Sequence, residues 1–170
     1  MPIEENICSD TAFQRLFMAY SKSLHNYIYY KSSNAALAED IMQEAFLRLW
    51  KKCKQVHYDK AKSYLFTVAN NLFLDEVKHQ KVSLKFQLLR PPRESTNIDA
   101  QFLLEEQEFY ERLEGAIAKL PEAQRIVFLM NRIEKMKYKD IAELLDISVK
   151  AVEKRMSTAL KTLRAVYNKI

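Results

Sequence analysis

Near the C-terminus, lysines and a threonine recur at a spacing that suits contact with a polyanion. In the stretch Tyr138 to Leu163, Lys150, Ala151, Lys154, Thr158 and Lys161 point one way on a helix that advances about 100° per residue. Lysines neutralise phosphates, and small or short polar side chains between them let a helix approach base edges closely. The opposite side carries Val149, Val152, Met156, Ala159, Leu160 and Leu163, an apolar stripe. The chain has a formal charge of +5, and from Val149 onward six Lys or Arg stand against one Glu, so the remainder is neutral on balance. An ordinary helical hairpin with a solvated lysine face is the bland alternative. Concentrating the whole excess on one helix favours a phosphate-binding surface.

That helix must be positioned by the one before it. Tyr138, Ile141, Ala142 and Leu145 repeat at i, i+3, i+4 and i+7, Asp146-Ile147 breaks the pattern, and Ser148 is suited to N-cap the next helix. Asp146 stands where a glycine would be easiest, and Asp tolerates the left-handed conformation better than most residues. Helix, tight turn and basic-faced helix predict a helix-turn-helix whose second helix lies in a DNA major groove.

Two other segments carry unusual surfaces. Asn34 is suited to cap a helix running to about Lys52, in which Leu37, Ala38, Ile41, Ala45 and Leu49 form the buried stripe. Asp40, Gln43, Glu44 and Leu47 share an outer face, an acidic patch around an exposed leucine that suits a basic partner helix. Phe46 and Trp50, on a third side, are expected to pack on a neighbouring helix. After a polar loop at 53–62 comes a helix from Ser63 to about Gln80 rich in aromatics and amides. In it Tyr64, Thr67, Asn71, Asp75 and Lys78 trace one line, beside Asn70. Aromatic faces stack on unpaired bases and amides bond to base edges; core aromatics beside a solvated polar line is the equal alternative.

Composition excludes several classes of function. Gly115 is the only glycine of 170 residues, so phosphate-cradling loops, dinucleotide turns and nucleophile elbows have no place to form. Four prolines and one glycine argue against a turn-rich β fold, and the chain reads as all-α. Cys8 and Cys53 form no spaced pair with each other or with His25, His57 and His79, so no metal site and no cofactor are expected. Two plain cysteines suggest a reducing cytoplasm. No signal peptide is apparent in MPIEENICSD, and the longest strictly apolar run, Ile126–Met130, is too short for a bilayer. No catalytic set and no small-molecule substrate are indicated.

Helical pattern begins at residues 11–31 and lapses over 82–100, which include Pro91-Pro92 and a polar run. It resumes to Leu120, and a further helix follows Pro121. Two small helical domains joined by a flexible linker are therefore expected: 8–82, a linker at 83–103, and 104–170.

Three segments in this order resemble one family: AEDIMQEAFLRLWKK (38–52), KSYLFTVANNLFLDEVKH (62–79) and LPEAQRIVFLMNRIEKMKYKDIAELLDISVKAVEKRMSTALKTLR (120–164). The chain looks like a bacterial sigma-70 family factor of the short extracytoplasmic-function (ECF, group 4) type, with only region 2 and region 4 domains. The resemblance implies a promoter-specificity subunit of RNA polymerase, partnered by core polymerase and promoter DNA. It also implies an anti-sigma factor, commonly membrane-anchored in this family. It puts polymerase docking on Asp40, Gln43, Glu44 and Leu47. Opening and reading of the −10 element would fall to loop 53–62 and to Tyr64, Thr67, Asn70, Asn71, Asp75 and Lys78. Reading of the −35 element would fall to Lys150, Ala151, Lys154, Arg155, Thr158 and Lys161. Some positions depart from the family pattern: Tyr64 stands where Trp is common, Asn70 and His79 where Arg is common, and Ala151 and Thr158 where Thr and Arg are frequent. A stand-alone helix-turn-helix regulator is the competing reading; it would need neither the acidic docking face nor the aromatic, amide-rich helix.

Overall fold

The computed structural model describes residues 6–77, residue 86 and residues 100–167. The chain divides into two compact units, Met1–Ser83 and Leu84–Ile170. Among the described residues the structure is helical, with no strand.

Unit 1 is built on an α-helical hairpin. Helix α1 (Asp10–Ser32) is N-capped by Ser9, whose hydroxyl accepts from the Ala12 N–H. It ends at Ser33, held left-handed at φ 52° with its N–H on the Tyr29 carbonyl. Asn34 caps α2 (Ala35–Lys51), its side chain accepting from the Leu37 N–H at 3.0 Å, as its residue type predicts. A short 3-10 turn at Tyr58–Lys60 interrupts the loop and leads into α3 (Ala61–Val77), which starts two residues earlier than its pattern suggested. Leu16, Leu24 and Ile28 of α1, Ile41, Ala45, Phe46 and Leu49 of α2, and Leu65, Ala69 and Phe73 of α3 form one core. Phe46 and Trp50 do pack on the neighbouring helix: Phe13 meets Trp50 edge-on at 5.0 Å, and Phe17 meets Phe46 at 5.0 Å.

The cysteines require a correction. Cys8 and Cys53 are joined in a disulfide across a sequence separation of 45, with 5.1 Å between their Cα atoms. They do not form the two plain thiols that suggested a reducing compartment. The pairing has no spacing signature because it is made by the hairpin. Antiparallel packing of α1 on α2 carries the residue two before one helix to the residue two after the other. Ile7, beside Cys8, is fully buried in the core of unit 1.

Unit 2 comprises α4 (Ala100–Ala118), α5 (Glu122–Arg132), α6 (Tyr138–Leu145) and α7 (Val149–Tyr167). Residues 100–103, expected in the linker, are therefore the first turn of α4. The remainder of the expected linker, residue 86 apart, lies outside the described residues. Ile117, Leu120, Val127, Leu129, Met130, Ile141, Val152, Met156, Ala159 and Leu163 are buried. Arg125, also buried, donates to the carbonyls of Leu120 at 2.8 Å and Ala118 at 3.3 Å, satisfying acceptors at the end of α4. Its guanidinium lies 5.6 Å from the ring centre of Phe86, a cation–π contact. Desolvation by burial lowers its pKa, opposed by the nearby Glu122.

The disulfide should matter to stability. Loop-closure entropy for a separation of 45 corresponds to roughly 4 kcal/mol, and measured disulfides commonly give about 2–4 kcal/mol. Reducing it should lower the melting temperature of unit 1 by on the order of 10 °C while leaving that of unit 2 unchanged. Calorimetry of the full chain with and without a dithiol reads both transitions; if neither moves, the bond constrains nothing in the unfolded chain.

Candidate polymerase and nucleic-acid interfaces

The outer face of α2 follows from its buried stripe. With Ala38, Ile41, Ala45 and Leu49 inward, Asp40, Gln43 and Leu47 are exposed, Leu47 by 52%, and Glu44 is half-exposed. The patch is less acidic than its composition suggested. Arg48, one turn on, bonds to Glu44 at 2.7 Å, and this hydrogen bond holds the Glu44 carboxyl below the usual carboxylate range. Gln43 donates to Glu39 at 2.7 Å. Arg48 was missed in the sequence, although Glu followed four residues later by a cation is the favoured helix pair. Beside this face runs a groove of about 750 Å³ between α1 and α2, lined by Phe13, Phe17, Gln43, Phe46, Leu47 and Trp50. Leu47 is thus one edge of a continuous apolar trough and not a lone exposed leucine.

The described members of the expected line on α3 stay together, and Asn70 beside it does not join them. Thr67, Asn71 and Asp75 are exposed and Tyr64 is half-buried on the same side. Asn71, Asp75, Leu74 and Val77 line a shallow depression, and Leu74 is 47% exposed there. Asn70 points elsewhere: its side-chain oxygen accepts from the Lys31 ammonium at 2.6 Å. Lys31 is buried, with its nitrogen 5.2 Å from the Tyr27 ring centre and 5.0 Å from that of Phe73. A lysine withdrawn from water this far needs such partners. Asn70 therefore ties α3 to α1, and the structure does not bring it together with Asn71. Nothing in the local pattern of α3 signals this, because the partner lies 39 residues away. Lys78 lies outside the described residues.

The turn before α7 is built by hydrogen bonds. Asp146 is left-handed (φ 54°, ψ 47°), its N–H directed at Glu143, while the Ile147 N–H reaches the Ala142 carbonyl at 3.0 Å. This is the Schellman arrangement, made here without glycine. Ser148 then caps α7, its hydroxyl accepting from the Ala151 N–H at 3.1 Å. Val152, Met156, Ala159 and Leu163 are buried along one line. Lys150, Lys154, Thr158 and Lys161 are exposed, and Ala151 and Arg155 are half-buried at the margins. Val149, expected in the stripe, is instead 40% exposed, at the first residue of α7. The Thr158 hydroxyl donates to the Lys154 carbonyl at 2.9 Å. Ser157 is exposed between Lys154 and Lys161 and belongs to the same outward face, although its residue type had not singled it out.

Among the described residues no three His, Cys, Asp or Glu side chains converge as a metal site would require, and no helix is long and apolar enough to cross a membrane.

Comparison with known proteins follows these two units. Residues 16–82 match sigma-70 region 2, and residues 110–163 match sigma-70, region 4. The chain is 26% identical over 156 residues to the ECF RNA polymerase sigma factor SigM of Bacillus subtilis, covering 91% of this chain and 94% of that protein. It is 24% identical over 163 residues to the ECF sigma factor SigW of the same organism, covering 90% and 87%. In fold it is similar to the sigma factor RpoE of Bartonella quintana, solved in complex with the anti-sigma factor NepR, with a TM-score of 0.56 at 18% identity over 92% of this chain and 96% of that one. It is also similar to CnrH, solved with the cytosolic domain of CnrY, with a TM-score of 0.58 at 20% identity over 95% and 90%. A stand-alone helix-turn-helix regulator would account for residues 110–163 and leave the region 2 match unexplained. With region 2 followed by region 4, and relatives of the same kind along nine-tenths of its length, the chain belongs to the sigma-70 family as an ECF-type sigma factor, a promoter-recognition subunit of bacterial RNA polymerase.

Proposed function

We propose that the three surfaces divide promoter recognition among them. The α2 face bearing Asp40, Gln43, Glu44 and Leu47 docks on core polymerase. Loop 53–62 with Tyr64, Thr67, Asn71 and Asp75 opens and captures the −10 strand. Helix α7 reads the −35 duplex. The observation that carries this most is on α7, where a buried apolar line leaves Lys150, Lys154, Thr158 and Lys161 all exposed behind a capped, hydrogen-bonded turn. Lys154 and Thr158 lie centrally and are assigned to base edges, Ala151 to close approach or a thymine methyl, and Lys150, Arg155 and Lys161 to phosphates. Asn70, bonded to Lys31, is withdrawn from the −10 set and given a structural role. Lys78 stays in that set on its place in the line. The polymerase supplies the chemistry; this subunit binds and opens DNA. It acts in the cytoplasm, where chromosome and polymerase are, and an anti-sigma partner, the class solved with the Bartonella quintana factor, would hold it inactive.

Docking is tested by co-elution with core polymerase. Leu47→Asp should abolish it without loss of helix, since a charge placed in a desolvated apolar contact costs several kcal/mol. Glu44→Lys should act alike, because it also sets a second cation against Arg48. Normal co-elution of the folded double variant would remove the assignment.

For the −10 element, Asn71→Ala should reduce permanganate reactivity of the melted strand by roughly 5–160-fold, the worth of one base contact of about 1–3 kcal/mol. Binding to −35 duplex alone should hardly change. Equal melting by wild type and variant would count against the site.

In α7, Lys154→Ala should alter preference at one or two −35 positions. Lys161→Ala should weaken all promoters alike and make the salt dependence shallower by about one unit of slope. A randomised −35 library transcribed with each variant separates the two; a shift of preference with Lys161→Ala and none with Lys154→Ala would mean the helix lies differently in the groove.

A further inference from the structure

The hairpin of unit 1 is closed at both ends. At one end the left-handed Ser33 and the cap Asn34 join α1 to α2. At the other the Cys8–Cys53 disulfide joins the segment before α1 to the segment after α2. The two sides of that bond are not alike. The Cys8 side is anchored: Ile7 is fully buried, the Cys8 N–H donates to the Asn6 side chain at 2.9 Å, and Ser9 caps α1. The Cys53 side opens directly into the loop proposed for the −10 strand. Turn bonds from Cys53, Gln55 and Val56 back to Trp50 and Lys52 and the packing of Val56 and Tyr58 on the core hold its inner side, while Lys54, Gln55, His57, Asp59 and Lys60 are exposed. The disulfide is thus the covalent tie between a rigid helix start and the first residue of a loop whose polar side chains face outward.

Both cysteines are half-buried, and neither is fully withdrawn from the surface. A subunit that works with RNA polymerase on the chromosome meets a pool that keeps thiols reduced. There a disulfide is not a permanent staple, and cytosolic disulfides are characteristically transient or redox-sensing.

We propose that Cys8 and Cys53 form a thiol–disulfide switch that sets how well unit 1 opens the −10 element. The inference rests on the proposed role of loop 53–62 and adds its regulation. In the oxidised state the bond holds the start of the loop against α1, so less freedom is lost when the strand is captured. On reduction the start of the loop loses that tie, and more of its ordering falls to the DNA. The chemistry is exchange with a dithiol reductant. A thiolate of the reductant attacks one cysteine sulfur, the Cys8–Cys53 bond breaks, and a mixed disulfide forms. The second thiol of the reductant then displaces the protein sulfur. Two electrons and two protons pass to the protein as two thiols, and the reductant leaves as its own disulfide. The reverse exchange with that disulfide restores the bond.

The test uses the full chain with core polymerase on a promoter, poised with mixtures of reduced and oxidised dithiothreitol. Permanganate reactivity of the −10 strand is read beside maleimide labelling of the cysteines. Reactivity should fall on the order of 10-fold as the thiols appear, the cost of ordering a few freed side chains on binding, and should return on reoxidation. Binding of −35 duplex should stay constant. Cys8→Ser/Cys53→Ser should hold the low value in every mixture. Equal melting in the two thiol states overturns the switch. So does loss of helix by circular dichroism on reduction or in the double variant, which would make the bond a staple. Asn71→Ala and replacement of residues 54–60 by a neutral loop, measured in the oxidised protein, separate the two levels. If these reduce melting and the thiol state does not, the switch fails and the −10 site stands. If neither does, the −10 reading fails and the switch with it.

Discussion

Val152, Met156, Ala159 and Leu163 are buried along one line of α7, and that burial orients everything the helix presents outward. Removing a side chain of this size from water is worth about 1.5–3 kcal/mol, more than any surface lysine contributes to stability. The lysines therefore stand where the stripe leaves them. The same holds in unit 1, where Ala38, Ile41, Ala45 and Leu49 put Asp40, Gln43 and Leu47 outside. Small residues recur in these stripes: Ala38, Ala45, Ala61 and Ala69 are fully buried. They let helix backbones approach closely, so the larger leucine, isoleucine and phenylalanine side chains between them can interlock.

How helices end is the second constraint. With Gly115 as the only glycine and placed inside α4, glycine ends none of these helices. Ser33 and Asp146 end α1 and α6 in the left-handed region instead, and Lys135 takes it in the turn after α5. Such corners are uncommon for residues with a Cβ and persist where hydrogen bonds overdetermine them, as at Ala142, Glu143, Asp146 and Ile147. The Asp146 corner sets the angle between α6 and α7.

Much of this was legible because it is local. Asn34, Ser148 and Asp146 act within three or four residues of themselves, so residue type and position sufficed. The all-α class followed from composition and period. What escaped is contact across sequence. The Cys8–Cys53 bond exists because two antiparallel helices of unequal length bring distant residues together, and no motif records that. Asn70 reads as one more amide beside a polar line until Lys31 takes it. Val149 has the residue type of a core position but lies at a helix end, where it is 40% exposed. Arg48 is the exception, a local partner of Glu44 that the period contained.

The bond from the Thr158 hydroxyl to the Lys154 carbonyl has a consequence for complementarity. A hydroxyl carries one hydrogen and two lone pairs. With the hydrogen committed to the helix, only acceptor capacity and the methyl group face outward. In the major groove adenine and cytosine offer amino hydrogens, whereas guanine presents only acceptors and thymine an acceptor with a methyl. On the proposed orientation of α7, the threonine would discriminate among bases by refusing a second acceptor. An arginine, frequent there in related factors, would make the opposite choice, since it only donates and pairs with guanine. The exchange of one residue type for the other would thus invert the polarity of that position, carrying the factor to a different set of promoters with its fold unchanged.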